Sequence, residues 1–232
     1  MEAGVDLLFG RRASLHLTRF DQLASGLIQT VKIVDPRSGK GPSGPSGPSG
    51  SGDTRQSWFE LQNVGDVTNR GWESQASLSL GAVSLEGAAT FVDSRVRSIA
   101  QRYSGELRAG DRMLGVPART VSGSIEWRGE RMQLSTTVSR ASDWIYYDRL
   151  KIATFALKDT TYVNTLFGPA LRQTYRAYPG ATRLRMSGVM DVWRSLALTI
   201  TGENLLNRQL GEPDTITIVP GRTVTLGLRA RF

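Results

Sequence analysis

Apolar and polar residues alternate along most of this chain. In the stretch VTLGLRARF (224–232), Val224, Leu226, Leu228, Ala230 and Phe232 are apolar, and Thr225, Gly227, Arg229 and Arg231 between them are small or charged. A period of two marks a strand with one oily and one wet face. The pattern recurs at Ala3–Phe9, Ala13–Leu17, Trp72–Leu80 and Val83–Phe91. It returns at Val121–Trp127, Met132–Val138, Leu184–Val192 and Leu196–Ile200. These segments predict about nine strands, each near the length that crosses a bilayer as tilted β-structure.

The connections carry a second pattern. Tight turns are predicted at 9–13, 80–83, 127–132 and 192–196, and long irregular connections at roughly 21–57, 94–117, 143–180 and 205–220. Short and long alternate strictly. An antiparallel up-and-down meander then puts every long connection on one side, as in outer-membrane barrels. The aromatic residues agree: Phe9, Trp127, Trp193 and Phe232 fall near the short turns, whereas Trp72 and Phe91 lie about eight residues from theirs. At roughly 3.3 Å per residue and a tilt of about 40°, that separation approaches the height of a bilayer's apolar band. The fold class expected is therefore all-β, a curved segment of a transmembrane β-barrel. Within the first long connection, GKGPSGPSGPSGSGD (39–53) reads as a flexible, solvated loop tip.

Composition refines this picture only slightly. A hydrophobic fraction of 39% in 232 residues suits a soluble protein or a barrel equally, because barrel strands average to polar. No run approaches the roughly 18 apolar residues of a membrane helix. The net charge is +8, yet Arg11, Arg12, Arg95, Arg97, Arg128, Arg183 and Arg185 are scattered over many segments. That scatter argues against a nucleic-acid footprint. Cysteine is absent, which excludes disulfides and thiolate metal sites. MEAGVDLLFG lacks the basic and apolar regions of a signal peptide, so an export signal is expected upstream.

Catalytic signatures are missing: there is no G-x-S-x-G elbow or P-loop, and His16 is the one histidine, placed on the polar face. No enzyme activity and no cofactor is expected. The carboxylates Glu73, Glu86, Glu126 and Asp191 are expected to pair with arginines of the polar face. Candidate ligand contacts lie in SDWIYYDRL (142–150), where Trp144, Tyr146 and Tyr147 could stack on a sugar or peptide and Asp143 and Asp148 could accept hydrogen bonds. Interfacial packing is the competing reading of these aromatics. Arg183, Arg185, Arg229 and Arg231 on the wet face could steer an anionic ligand, or face a plug or water.

Several stretches resemble the TonB-dependent outer-membrane receptors. EAGVDLLFGRRASLHLTRF resembles their Glu-x-Gly-x-Asp strand with its tight turn, and NVGDVTNRGWESQASL (63–78) is similar to their Asn-x-Gly…Gly-x-Glu strand. LGVPARTVSG (114–123) resembles a Pro-led descending strand. TGENLLNRQLGEPD with VPGRTVTLGLRARF is similar to the last hairpin. The opening pair and the Asn-Val-Gly segment lean towards the SusC/RagA-like branch, importers of glycans or peptides. The resemblance implies that residues 1–232 are the C-terminal part of such a barrel, the plug and earlier strands lying outside the chain. It also implies a Gram-negative outer-membrane location and contact with lipid. A TonB complex would be reached only through the absent plug, and a substrate-binding lipoprotein is a further possible partner. The terminal strand, with Val224, Leu226, Leu228 and Phe232, resembles the signal read by the barrel-assembly machinery. The alternative expectation is a small self-contained outer-membrane barrel with a structural or adhesive role.

Overall fold

The computed structural model describes residues 1–34, 57–158, 168–209 and 220–230. Its main feature is one antiparallel sheet of nine strands. In chain order the elements are β1 (Glu2–Phe9), β2 (Ala13–Ser25), β3 (Ile28–Val34), β4 (Ser57–Asn63), β5 (Gly65–Leu80) and β6 (Val83–Ile99). They continue with β7 (Arg119–Arg128), β8 (Met132–Ala141), β9 (Trp144–Tyr147), helix α1 (Arg149–Lys158) and a 3₁₀ turn (Gly168–Thr174). β10 (Tyr175–Tyr178), β11 (Ala181–Trp193), β12 (Leu196–Glu203) and β13 (Thr223–Ala230) follow. The sheet order β1-β2-β5-β6-β7-β8-β11-β12-β13 is the predicted meander, and the nine strands match the number expected.

The register turns alternation into two continuous surfaces. Leu78, Leu85 and Ile125 stand side by side, as do Met190, Leu198 and Leu228. This face stays exposed over its whole width: Leu85, Ile125, Leu134, Met190, Ile200 and Leu226 all have open side chains. An apolar surface of this extent on a water-soluble sheet would be buried against a second layer. The opposite face is a carpet of hydroxyls, in which Ser14 pairs with Ser77 at 2.7 Å and Ser135 with Ser187 at 3.0 Å. Trp72 and Phe91 are register partners near one border of the oily face, while Phe9, Trp127 and Trp193 stand near the other. Two aromatic belts thus bracket the apolar band.

All described long connections leave the same end of the sheet, but their predicted limits need correction. β2 runs on to Ser25 and β6 to Ile99, so 21–25 and 94–99 belong to strands. Residues 28–34 and 57–63 form a separate hairpin, and 143–180 contains β9, α1, the 3₁₀ turn and β10. These short elements lie outside the nine-stranded sheet and pair locally, β3 with β4 and β9 with β10. The glycine-rich segment 39–53 lies outside the described residues.

This long-loop end holds a conventional core. Val64, Val96 and Leu107 are buried together, with Leu27, Ile99, Tyr103, Met113 and Leu114 packed around them. Gly65 adopts a positive φ of 124°, and a Cβ there would lie 2.2 Å from the Ser98 carbonyl. Only glycine allows β5 to leave Val64 in this core. Asn63 completes the turn, its side-chain oxygen accepting from the Gly65 N–H at 2.8 Å. The NVG motif is thereby explained as a structural corner.

Candidate functional site

Where the polar face meets the long connections, a cavity of about 420 Å³ opens. Its floor is the hydroxyl carpet of β6, β7 and β8, with Thr90, Thr120, Ser122 and Ser139; Arg183 of β11 and Trp144 of β9 also line it. Register puts Arg183 opposite Ser139, which fixes it on the polar face. Trp144 is only 5% exposed and stacks on Tyr178, ring centroids 5.9 Å apart and nearly parallel. Its indole N–H is buried and finds no acceptor among the described residues. A buried donor without a partner costs about 1–3 kcal/mol.

The other predicted contacts divide into those near this cavity and those with work elsewhere. Asp143 forms an ion pair with Arg112 at 3.2 Å, and Arg112 also donates to the Asp143 carbonyl. The Tyr146 ring lies over Gly115, itself a lining residue of the cavity. Tyr147 points away into the loop core, where its hydroxyl donates to Glu106. Asp148 caps α1: its carboxylate accepts from the Lys151 N–H at 2.9 Å, and an ion pair with Arg176 spans 3.5 Å. Capping satisfies one of the orphan N–H groups at a helix start.

The basic residues also separate. Arg185 sits opposite Thr137 and reaches Glu203 at 3.7 Å. Arg229 stands opposite Ala197 on the polar face of β13, outside the cavity lining. Arg231 and Phe232 lie outside the described residues; Val224, Leu226 and Leu228 line the oily face of the edge strand β13. The expected pairing of carboxylates with wet-face arginines holds for Glu126, which meets Arg128 at 2.8 Å. Glu73, Glu86 and Asp191 make no ion pair among the described residues. Their strand neighbours are mostly Ser, Thr or Ala, which cannot supply a cation. His16 bridges Asp6, through Nδ1, and Thr18, through Nε2 at 2.8 Å.

Sequence reasoning missed a polar network within the long-loop end. Glu106, 1% exposed, accepts from Gln29 at 2.6 Å and from Tyr147. The Tyr103 hydroxyl donates to Gln29 at 2.5 Å and accepts from the Leu107 N–H at 3.2 Å. Arg172 donates to the Glu106 carbonyl at 3.1 Å and forks onto both oxygens of Asp111. Three long connections are thus tied into one body. Burial pushes the Tyr103 phenol up to about 12, with the nearby Glu106 adding to the shift and backbone hydrogen bonding opposing it. Burial and Glu106 also raise Tyr147, and burial raises Tyr175, so these phenols remain neutral. At Asp111 burial acts upward, but the hydrogen bond and charge of Arg172, with the Arg108 N–H, outweigh it and hold the carboxyl below its ordinary value. No periodicity could have flagged these residues; the signal was their aromatic and charged composition inside predicted loops.

The Asn-Leu-Leu-Asn motif also proves structural. Asn204 and Asn207 both adopt positive φ, and the Asn204 amide donates to the carbonyls of Arg208 and Pro220, each at 3.0 Å. Asn207 accepts from the Arg222 N–H at 2.9 Å. Together they bring the Pro-Gly-Arg segment back over the end of β12.

An antiparallel meander with an oily outside, a hydroxylated inside, two aromatic belts and long connections at one end defines a wall of a membrane β-barrel. The family model described as TonB dependent receptor-like, beta-barrel, matches residues 1–205, and the chain belongs to that family. Barrels of this family are outer-membrane transport proteins of Gram-negative bacteria, and they are not enzymes. No curated protein matches the chain. Solved structures that share the fold include the siderophore receptor PiuA from Acinetobacter baumannii, 14% identical with a TM-score of 0.63. The alignment covers 99% of this chain and 28% of that one. The ferric yersiniabactin uptake receptor FyuA from Yersinia pestis is 14% identical with a TM-score of 0.62, covering 100% of this chain and 29% of that one. The FrpB iron transporter from Neisseria meningitidis (F3-3 variant) is 13% identical with a TM-score of 0.59, covering 100% and 30%. The chain therefore spans under a third of the length of these structures.

Proposed function

We propose that this chain is the C-terminal wall of a TonB-dependent receptor that imports a polar nutrient, and that the Trp144–Arg183 cavity is part of its ligand surface. The observation that carries this reading is the hydroxyl-floored cavity at the long-loop end, which Trp144 and Arg183 also line. Such a lining suits a polyhydroxylated or anionic ligand: the hydroxyls exchange hydrogen bonds with it, and Arg183 adds charge. Tyr146 and Asp143 border the same opening, whereas Arg185 and Arg229 set the potential further into the lumen. Among the described residues β1 and β13 are unpaired sheet edges, which supports the reading of a wall completed by further strands, since unpaired backbone in hydrocarbon costs several kcal/mol per group. The plug and its TonB contact belong to the portion not covered here. The terminal segment, with Val224, Leu226 and Leu228 of β13 and with Phe232 after it in the sequence, serves as the recognition signal for barrel assembly, by strand addition.

The opening strands favour a glycan or peptide as cargo, in the SusC/RagA-like manner with a lipoprotein partner. The names of the solved relatives draw attention to metal chelates. Uptake by cells carrying the full-length receptor separates these. The double variant W144F/R183Q should reduce growth on one of three sole sources, an oligosaccharide, a short peptide or a ferric siderophore, with the amount of folded receptor unchanged. The source affected identifies the cargo class. Unchanged uptake of all three would remove the cavity from the ligand surface.

A further inference from the structure

The oily face carries a feature that hydrocarbon alone does not call for. Cross-strand register aligns Arg19, Trp72, Phe91 and Arg119 in a single row over β2, β5, β6 and β7. Arg140 of β8 lies one diagonal step away on the same face, opposite Val121, and donates to Thr182 at 2.8 Å. All three arginines are exposed. The guanidinium of Arg19 rests 5.3 Å above the Trp72 ring, which holds it against the belt.

Just beyond the row, the carboxylates of this face are already engaged, Asp21 with Arg70 at 3.1 Å and Asp93 with Arg95 at 2.7 Å. Arg19, Arg119 and Arg140 have no carboxylate partner among the described residues. They stand at the border of the apolar band, about eight residues from the short turns, hence roughly 20 Å away along the membrane normal. At that depth solvation is poor and headgroup phosphates are the abundant anions. A guanidinium matches a phosphate in a forked, bidentate geometry and is less strongly hydrated than an ammonium. Diagonal neighbours such as Arg119 and Arg140 are about 7–8 Å apart at the backbone, close enough for their side chains to converge on one phosphate.

We propose that this row is a seat for a phosphate-bearing lipid headgroup in the leaflet next to the long loops. The lipid's acyl chains then lie over Val121, Ala89 and Leu134 of the oily face, and Trp72 and Phe91 stand level with its glycerol or sugar region. The inference rests on the sheet being a membrane wall as proposed above.

The test uses the full-length receptor in vesicles of phosphatidylcholine with or without phosphatidic acid, followed by native mass spectrometry of the lipid retained. Folding is scored separately by heat-modifiable migration. The wild type should enrich phosphatidic acid, and R19Q/R119Q/R140Q should lose about tenfold of that enrichment, equivalent to roughly 1.4 kcal/mol. R19K/R119K/R140K, which keeps charge without the fork, should fall between, and R128Q, on the wet face near the short turns, should match the wild type. A folded, inserted triple Gln variant that retains phosphatidic acid like the wild type overturns the lipid seat. So does displacement by inorganic phosphate alone, which would show a site indifferent to acyl chains. A receptor that inserts into neither vesicle fails at the earlier step, the membrane-wall reading.

Discussion

The two ends of the molecule solve opposite solvation problems. In the nine-stranded sheet the large apolar side chains are outside and the interior face is hydroxylated; in the long-loop end Val64, Val96 and Leu107 are inside, as in a water-soluble domain. Among the buried hydrophobic residues only Ala197 lies away from the loop end. The sheet needs no core of its own, because lipid covers one face and backbone hydrogen bonds run unbroken from strand to strand. The loop end projects into water, so it must bury its own apolar surface and satisfy its own polar groups. One chain therefore carries two inverted codes, and a substitution has opposite consequences depending on which code it enters.

The sharpest way to break this contrast is a charge on the oily face. Leu85→Arg, on the oily face one position in from the Trp127 belt, should cost about 2–3 kcal/mol, whereas Ser124→Arg, on the neighbouring strand's wet face, should cost much less. Urea titration of the full-length receptor in vesicles measures both. Equal costs would mean that the face of Leu85 does not meet lipid.

An intermediate effect is expected from the loop core. Glu106→Ala leaves Gln29 and Tyr147 without their shared acceptor, at about 1–3 kcal/mol for each buried orphan. Limited proteolysis should then cut the long connections faster while heat-modifiable migration of the barrel stays normal. Simultaneous loss of barrel and loops would show that the two ends are not separable.

The smallest effect is a pH dependence confined to the loops. The Asp111 carboxyl is held below its ordinary value of 3.8, so the Arg172 fork stabilises the folded loops fully above that value. The contribution fades as pH falls through the lower folded-state value. Hydrogen exchange at Leu107 and neighbouring amides should accelerate in that acid window and not between pH 5 and 8. Arg172→Gln should remove the dependence.

How far the sequence could be read follows the same division. Strand alternation located the sheet, its meander order and both aromatic belts, because lipid on one side and water on the other impose a period of two on every strand. The limits of the long connections were drawn too wide for the same reason. β9, β10, α1 and the hairpin β3–β4 lie outside the sheet whose two faces carry the period of two, so that signal does not mark them. Among candidate contacts, Trp144 and Arg183 line the cavity, but Tyr147 and Asp148 are occupied in the loop core and at a helix cap. A short run such as SDWIYYDRL does not reveal which of its side chains turn inwards.

The sequence by itself determined which residues face lipid and which face the lumen, since that choice depends only on neighbours one and two positions away. Tertiary structure alone decided which distant residues meet: Glu106 with Gln29 and Tyr147, Arg172 with Asp111, and Arg19 and Arg119 in one row across Trp72 and Phe91. Those meetings depend on the register of each strand pair and on loops folding against one another. Both are set by packing between segments far apart in the chain, which no local pattern encodes.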